Sequence, residues 1–305
     1  MQIEVAGVSK RFGAAVAVED LTFSVRPGAV TGFVGPNGAG KSTTMRVMLA
    51  LDRADAGRAT FDGRPYRQLR EPMRSVGALL DAKAVHPRRS ARNHLRMYAA
   101  TNRIPDARVD EVVGLVGLAD VAGRRAGGFS LGMGQRLGLA QALLGDPPVV
   151  ILDEPANGLD PEGIIWIRTF MRYLADQGRT VFVSSHVLSE LGQVVDELIV
   201  IGKGRLLASG SLHDVLGTGN RVAVGVVSPD AARLAGLVEG RGATATLGDA
   251  NHLEVAGLDA PAVGELAAAH GIVLHELTPR EPSLEDAFLR LTSETQEFRA
   301  GEAGP

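Results

Sequence analysis

The sequence predicts an α/β protein with a mainly parallel sheet, a mostly helical stretch inside it and a small α+β domain after it. Over residues 1–216, strand-sized apolar runs alternate with helical patterns, which is typical of a parallel sheet with helices on both faces. Beyond residue 218 the predicted order becomes βαββαβ, which is typical of a ferredoxin-like unit. The length of 305 residues agrees with about two domains.

The change of pattern places a domain boundary near residue 218. We expect a first domain over residues 1–218, a second over residues 219–292, and a flexible tail over residues 293–305. The predicted elements follow in chain order: strands over residues 1–34, a helix from Lys41, mostly helix over residues 88–145, the buried strand "PPVVILDEP", the helix "PEGIIWIRTFMRYLADQG", the strand "RTVFVSSH", the helix "VLSELGQVVD", a hairpin around Gly202-Lys203-Gly204, and, after the βαββαβ unit, a last helix from "SLEDAFLRLT".

Composition excludes several classes of protein. The 32 basic and 35 acidic side chains give a formal charge of −3, so no basic field favours binding to nucleic acid. Cys is absent, which removes disulfides and thiolate metal sites and agrees with a reducing cytoplasm. No run approaches the roughly 18 apolar residues that a membrane span needs, and the start lacks an apolar signal core. We therefore expect a soluble chain that reaches a membrane only through a partner.

The stretch "GPNGAGKST" matches the phosphate loop G-x-x-x-x-G-K-[ST], follows an apolar strand and opens a helix. Its glycines let the backbone wrap around phosphate at a positive helix end. Lys41 can then reach the β- and γ-phosphates, and the Ser42 hydroxyl can bind Mg²⁺. A chance glycine-rich turn is the alternative, and the strand and helix on either side argue against it. The predicted nucleotide-binding residues are Gly35, Pro36, Asn37, Gly38, Ala39, Gly40, Lys41, Ser42 and Thr43.

Two carboxylates end the apolar run "VVILDEP". Asp153 can hold Mg²⁺ through water, while Glu154 can polarise an attacking water as a general base. Neighbouring residues on a strand point to opposite faces, which favours different roles for the two. An acidic strand end stopped by Pro155 is the structural alternative. His186 ends the next predicted strand and reaches the same sheet edge, although a histidine after an apolar strand is often only structural.

In this order the motifs resemble those of the nucleotide-binding subunit of an ATP-binding cassette (ABC) transporter, over about residues 1–216. The resemblance implies a P-loop NTPase fold. "GPNGAGKST" is similar to the family's Walker A motif and "VVILDEP" to Walker B with its catalytic glutamate. The segment "NGLD", which ends at Asp160, resembles the D-loop, and His186 the switch histidine. "SLGMGQR" stands where the family has its signature motif, with Ser130 and Gly132 retained. Phe12 lies where an aromatic ring stacks on adenine, although a core aromatic would fit equally.

The resemblance implies that two cassettes pair head to tail and hold ATP between the phosphate loop of one and the signature of the other. It makes about residues 82–145 a helical subdomain that docks on a separate polytopic membrane permease. The single cassette with a small C-terminal domain is similar to ATPase subunits of bacterial drug, bacitracin-type and lantibiotic-type exporters. The resemblance implies that the protein works as a homodimer that hydrolyses ATP. It also implies a cytoplasmic protein that is peripheral on the inner face of the membrane. Two interpretations of the C-terminal domain remain open: a dimer brace or regulatory element, and a passive appendage.

Two motifs depart from the family pattern, the Q-loop and the signature. Asp81 stands where the Q-loop glutamine is expected; it could ligate Mg²⁺, but an ionised carboxylate cannot donate to phosphate. An unrelated surface carboxylate is the alternative at this position. In the signature, Leu131 and Met133 replace the usual Gly and Gln, and we expect this to weaken the ATP sandwich by about 0.5–1.5 kcal/mol without abolishing it.

Other classes of ATPase are less compatible with the sequence. A ribosome-associated cassette ATPase would be expected to carry two phosphate loops, and a chromosome-maintenance ATPase a long coiled coil between phosphate loop and signature; neither is present. A soluble ATPase or a weakly hydrolysing regulatory module, not coupled to transport, remains the alternative function.

Overall fold

The computed structural model describes residues 1–82, 84–217, 223–248 and 251–280. Contacts between residues divide the chain into a first unit, Met1–Val215, and a second unit that begins at Leu216. In chain order the strands and helices are β1 (Ile3–Phe12), β2 (Ala15–Val25), β3 (Val30–Val34), α1 (Lys41–Met48), β4 (Ala56–Phe61), α2 (Pro72–Ser75), β5 (Val76–Leu79), α3 (Ala91–Thr101), α4 (Asp106–Leu115), α5 (Leu131–Leu143), β6 (Val149–Leu152), α6 (Pro161–Asp176), β7 (Thr180–Ser185), α7 (Leu188–Leu191), β8 (Glu197–Gly202), β9 (Arg205–Ser211), α8 (Leu212–Gly217), β10 (Ala223–Val227), α9 (Ala231–Glu239), β11 (Thr244–Leu247), β12 (His252–Ala256), α10 (Ala260–Ala269) and β13 (Glu276–Arg280).

A six-stranded sheet forms the centre of the first unit, in the order β5-β6-β7-β3-β8-β9. The first five strands are parallel, and β9 joins the edge antiparallel as the second strand of the predicted hairpin. Strands β3, β6 and β7 are buried along their whole length, so none of them shows the alternation of buried and exposed residues of a half-covered strand. The carboxyl ends of β3, β6 and β7 therefore meet at one edge of the sheet.

A separate antiparallel sheet, in the order β2-β1-β4, covers one face of the parallel sheet together with α1. The two sheets meet through Phe23 of β2, whose ring centroid lies 5.5 Å from that of Phe33 in β3 and 5.7 Å from that of Phe182 in β7. The expectation of helices on both faces did not include this sheet, which lies beside α1 on this face. Gly13, at φ 59°, turns the chain back so that β1 and β2 pair as a hairpin.

The stretch between β5 and β6 is mostly helical, as predicted, and contains α3, α4 and α5. A buried polar contact joins two of these helices: the ring Nε2 of His94 in α3 lies 2.8 Å from Oε1 of Gln141 in α5. The Nε2–H of the ring can donate to this amide oxygen, which only accepts. Burial lowers the pKa of His94, with the hydrogen bond to Gln141 opposing this shift.

The second unit has the predicted βαββαβ order. Its four strands form one antiparallel sheet in the order β11-β12-β10-β13, the arrangement of a ferredoxin-like unit. Helices α9 and α10 pack apolar side chains, among them Leu234 and Val263, into the core of this unit. The predicted α/β fold with an added α+β unit is thus confirmed. The helix predicted over residues 283–292 and the tail from residue 293 lie outside the described residues. The helix predicted as "VLSELGQVVD" is shorter than expected, because α7 ends at Leu191.

Candidate functional site

The phosphate loop connects the buried strand β3 to α1, and its conformation depends on glycine. Gly38 and Gly40 have φ values of 82° and 101°, in the left-handed region that side chains disfavour. A Cβ atom at Gly40 would lie 2.4 Å from the backbone oxygen of Ala17, and one at Gly35 would lie 2.5 Å from that of Ile201. At Gly35 and Gly40, therefore, any residue with a side chain would force the backbone of the loop to move.

Lys41 is the first residue of α1 and its side chain is only 6% exposed. Its Nζ donates to the backbone oxygens of Gly35, at 2.6 Å, and Pro36, at 3.3 Å. The same ammonium lies 3.4 Å from Oε1 of Glu154. The structure thus brings a buried cation of the phosphate loop against the carboxylate that follows β6.

The two carboxylates lie beyond the end of β6, which ends at Leu152. The expectation that strand alternation separates Asp153 from Glu154 was therefore wrong. Instead Glu154 has φ 48°, which is uncommon for a non-glycine residue, and this left-handed turn sets the direction of its side chain. Strain of this kind concentrates at functional sites, where the surrounding contacts hold it in place.

Ser184, near the end of β7, connects the two carboxylates. Its hydroxyl donates to Oδ1 of Asp153 at 2.5 Å and accepts a hydrogen bond from the backbone N–H of Glu154 at 2.9 Å. Ser184 is fully buried, so these bonds fix the Asp153 carboxylate and the strained backbone of Glu154 together. The sequence reasoning missed this residue; the polar pair "SS" at the end of an otherwise apolar strand was the available signal.

His186 directly follows β7 and contacts Glu154. Its Nδ1 lies 2.8 Å from Oε2 of Glu154, and because an ionised carboxylate only accepts, Nδ1 donates. Both oxygens of Glu154 therefore have cationic or N–H partners, Lys41 on one side and His186 on the other. A cavity of ≈ 400 Å³ lies over this cluster; it is lined by Ala17, Asn37, Gly38, Ala39, Gly40, Lys41, Ser42, Thr43, Glu154, Asn157 and His186.

A second cavity, of ≈ 260 Å³, is lined by three further predicted residues, Ser130, Gly132 and Asp160. Ser130 is the N-cap of α5, and its Oγ accepts from the backbone N–H of Met133 at 3.2 Å. Asp160 caps α6 in the same manner, with Oδ1 accepting from the N–H of Gly163 at 2.9 Å. The structure thus places the starts of α5 and α6 at one cavity, whose lining shares no residue with that of the cavity over the Lys41 cluster.

Gly35, Pro36 and Asp153 adjoin the Lys41 cluster without lining either cavity, and two further predicted residues, Asp81 and Phe12, also line neither. Asp81, two residues beyond the end of β5, lines a groove of ≈ 480 Å³ together with Tyr98 and Gln141 of the helical stretch. Phe12 ends β1 with its ring 51% exposed, and Nζ of Lys10 lies 5.1 Å from the ring centroid. Phe12 therefore presents an accessible aromatic face that already contacts a cation.

The parallel sheet and the glycine-dependent phosphate loop with its buried lysine define a P-loop nucleotide-binding protein. The model of the ABC transporter family matches residues 18–157, and that of a domain of unknown function, DUF8746, matches residues 222–285. The bacitracin transport ATP-binding protein BcrA of Bacillus licheniformis is 39% identical over 208 residues, which cover 67% of this chain and 68% of that protein. The Nod factor export ATP-binding protein I of Rhizobium sp. strain N33 is 32% identical over 97% of this chain and 98% of its own length.

Among solved structures, the ATP-binding subunit of an ABC transporter matches with a TM-score of 0.66 and 27% identity, over 72% of this chain and 93% of that chain. The chain belongs to the ATP-binding proteins of ABC transporters. The predicted family resemblance is therefore confirmed, and the protein binds and hydrolyses ATP. Over the described part of the chain, no helix combines the length and apolarity that crossing a membrane requires.

Proposed function

We propose that this protein is the ATPase subunit of an exporter, and that it powers the export of a drug, antibiotic or peptide through a separate membrane permease. The observation that carries the proposal is the cluster in which Lys41 of the phosphate loop and His186 both contact Glu154. The direction comes from the relative that is named a Nod factor export ATP-binding protein, and the class of cargo also from the one that is named a bacitracin transport ATP-binding protein.

In this proposal the phosphate loop binds the triphosphate through its backbone N–H groups, and Lys41 moves from the backbone oxygens of Gly35 and Pro36 to the β- and γ-phosphates. Glu154 then orients the attacking water and accepts its proton, acting as the general base. His186 holds the Glu154 carboxylate in place by donating its Nδ1–H to Oε2.

The donor set beside the phosphate loop suits Mg²⁺. The hydroxyl of Ser42 and the carboxylate of Asp153 are hard oxygen ligands, and the Oδ1 atom of Asp153 is held by Ser184. These residues would hold the ion, with Asp81 a further carboxylate at the same end of the sheet. When bound, the ion neutralises charge that develops on the phosphates.

The proposed working form is a homodimer of cassettes, peripheral on the inner face of the membrane. Ser130 and Gly132 would contact the ATP held by the partner's phosphate loop, because the N-terminus of α5 is the positive end of that helix. Asp160 would order the D-loop beside it, and Phe12 would stack on the adenine. About residues 82–145 would dock on the permease, while residues 219–292 would brace or regulate the dimer.

Substitution Glu154→Gln tests the proposal. The amide preserves shape but cannot accept the proton, so kcat should fall by about 10²–10⁴-fold while ATP still binds and the dimer accumulates. Glu4→Gln, an exposed change on β1 that lines neither cavity, is the matched control and should leave kcat unchanged. Equal hydrolysis by Glu154→Gln and the wild type would exclude Glu154 as the base.

Purification from native membranes should yield a polytopic protein with the chain; ribosomal proteins in its place would refute export.

A further inference from the structure

Arg136, the last residue of the signature segment (residues 130–136), contacts Trp166 of α6. The guanidinium carbon lies 3.8 Å from the centroid of the Trp166 ring, well within the range of a cation–π interaction. On α6 the Trp166 ring also stacks on buried Phe170, with centroids 5.2 Å apart and an interplanar angle of 20°. The ring that receives the cation is therefore held in one orientation.

The same guanidinium contacts a third helix. Nη1 of Arg136 donates to the backbone oxygen of Val116 at 2.9 Å, and Val116 is the C-cap of α4. The carboxyl end of a helix carries partial negative charge, which attracts a cation. Among the described residues, Arg136 thus joins α4, α5 and α6 through one planar group. A lysine could not reproduce both the stacking and the fork of N–H donors.

Two close backbone contacts join the signature segment to the D-loop (residues 157–160). A Cβ atom added to Gly158 would lie 2.1 Å from Cδ2 of Leu131, and one added to Gly132 would lie 3.3 Å from Cδ2 of Leu159. With the Arg136–Trp166 pair, the signature segment therefore packs on the D-loop and its helix at three points within a single chain.

We propose that Arg136 and Trp166 form a clamp that sets the direction of the signature segment relative to the D-loop, which makes both of them positioning residues for ATP hydrolysis. Neither side chain contacts the Lys41 cluster. The clamp acts through Ser130, whose orientation follows from the direction of α5. This inference rests on the proposed homodimer, in which the signature segment of one chain closes on the nucleotide of the other.

Steady-state kinetics separate positioning from folding. Trp166→Leu and Arg136→Gln should lower kcat by about three- to thirtyfold, the range expected for loss of a half-buried cation–π pair. The affinity of each variant for TNP-ATP should stay within about twofold, because the phosphate loop is untouched. Trp166→Phe keeps an aromatic face and should recover part of kcat. Tyr173→Leu removes another ring that contacts Phe170 on α6 but has no cation over it among the described residues, so it is the control and should match the wild type.

Trp166 also supplies a direct spectroscopic readout, because it is the chain's single tryptophan. In the Glu154→Gln background, MgATP should shift the emission of Trp166 as the dimer forms, and Arg136→Gln should remove that shift. The clamp proposal would be overturned if kcat were unchanged in both clamp variants, or if the affinity for TNP-ATP fell in parallel with kcat. Either result would leave the proposed function intact. Absence of any ATP-dependent dimer of Glu154→Gln would overturn the homodimer and the clamp together.

Discussion

Gly158→Ala should destabilise the first unit through two separable causes. Gly158 has φ 72°, and an alanine in that left-handed region costs about 1–2 kcal/mol. The new Cβ would also lie 2.1 Å from Cδ2 of Leu131, far inside the ~3.5–4.0 Å of an ordinary carbon contact. Leu131 is 43% exposed and can rotate away, at a further cost of about 0.5–1.5 kcal/mol. The expected loss is therefore about 1.5–3.5 kcal/mol of unfolding free energy.

Urea unfolding followed by the fluorescence of Trp166 measures this loss, because the lone tryptophan lies in the first unit. Gly178→Ala isolates the backbone cost: Gly178 has φ 82°, yet no atom lies within 4 Å of its added Cβ. Placed in a Leu131→Ala background, Gly158→Ala should cost no more than Gly178→Ala does in the wild type. A loss for Gly158→Ala no larger than that for Gly178→Ala, or an unchanged loss in the Leu131→Ala background, would refute the clash with Leu131.

Three further predictions follow from single contacts. Burial lowers the pKa of His94, so the unfolded chain binds more protons than the folded one, and stability should fall as pH drops below about 6.5. His94→Gln should flatten that dependence, measured as urea midpoints between about pH 5 and about pH 7.5. Ser184→Ala removes a hydrogen bond to the carboxylate of Asp153 worth about 1.5–3 kcal/mol; kcat should fall about tenfold or more, and an unchanged rate would exclude Ser184 from the site. Met133→Gln should increase the amount of ATP-dependent dimer that Glu154→Gln forms, measured by light scattering. No increase would mean that only Ser130 and the backbone of the signature segment contact the nucleotide.

The parts of the site that the sequence predicts are those that depend on backbone geometry. Gly40 could be recognised because only glycine combines φ 101° with a neighbouring carbonyl 2.4 Å from its missing Cβ. The sheet edge was predictable for a related reason, since parallel strands bring their carboxyl ends together and so place Glu154 and His186 within contact distance.

The missed features depend on contacts between residues far apart in the chain. The left-handed conformation of Glu154 and the double hydrogen bond of Ser184 join the end of β6 to the end of β7, which no local pattern encodes. The antiparallel sheet was missed because β1 and β2 show the same alternation that any half-buried strand shows. Arg136 and Trp166 each resemble an ordinary helix residue until α5 and α6 are packed together.

The unusual signature segment retains what the chemistry requires at its start. Ser130 accepts the N–H of Met133 with one lone pair, and its hydroxyl hydrogen remains able to donate to a phosphate oxygen. Leu131, where the family commonly has glycine, fills the space against Gly158 and so orders the D-loop from within the same chain. Position 133 contributes its backbone N–H to the cap whatever its side chain is. In the proposed dimer, the changes at positions 131 and 133 would replace a side-chain contact with the partner's nucleotide by packing inside the chain, and the proposed clamp at Arg136 would then set the direction of α5.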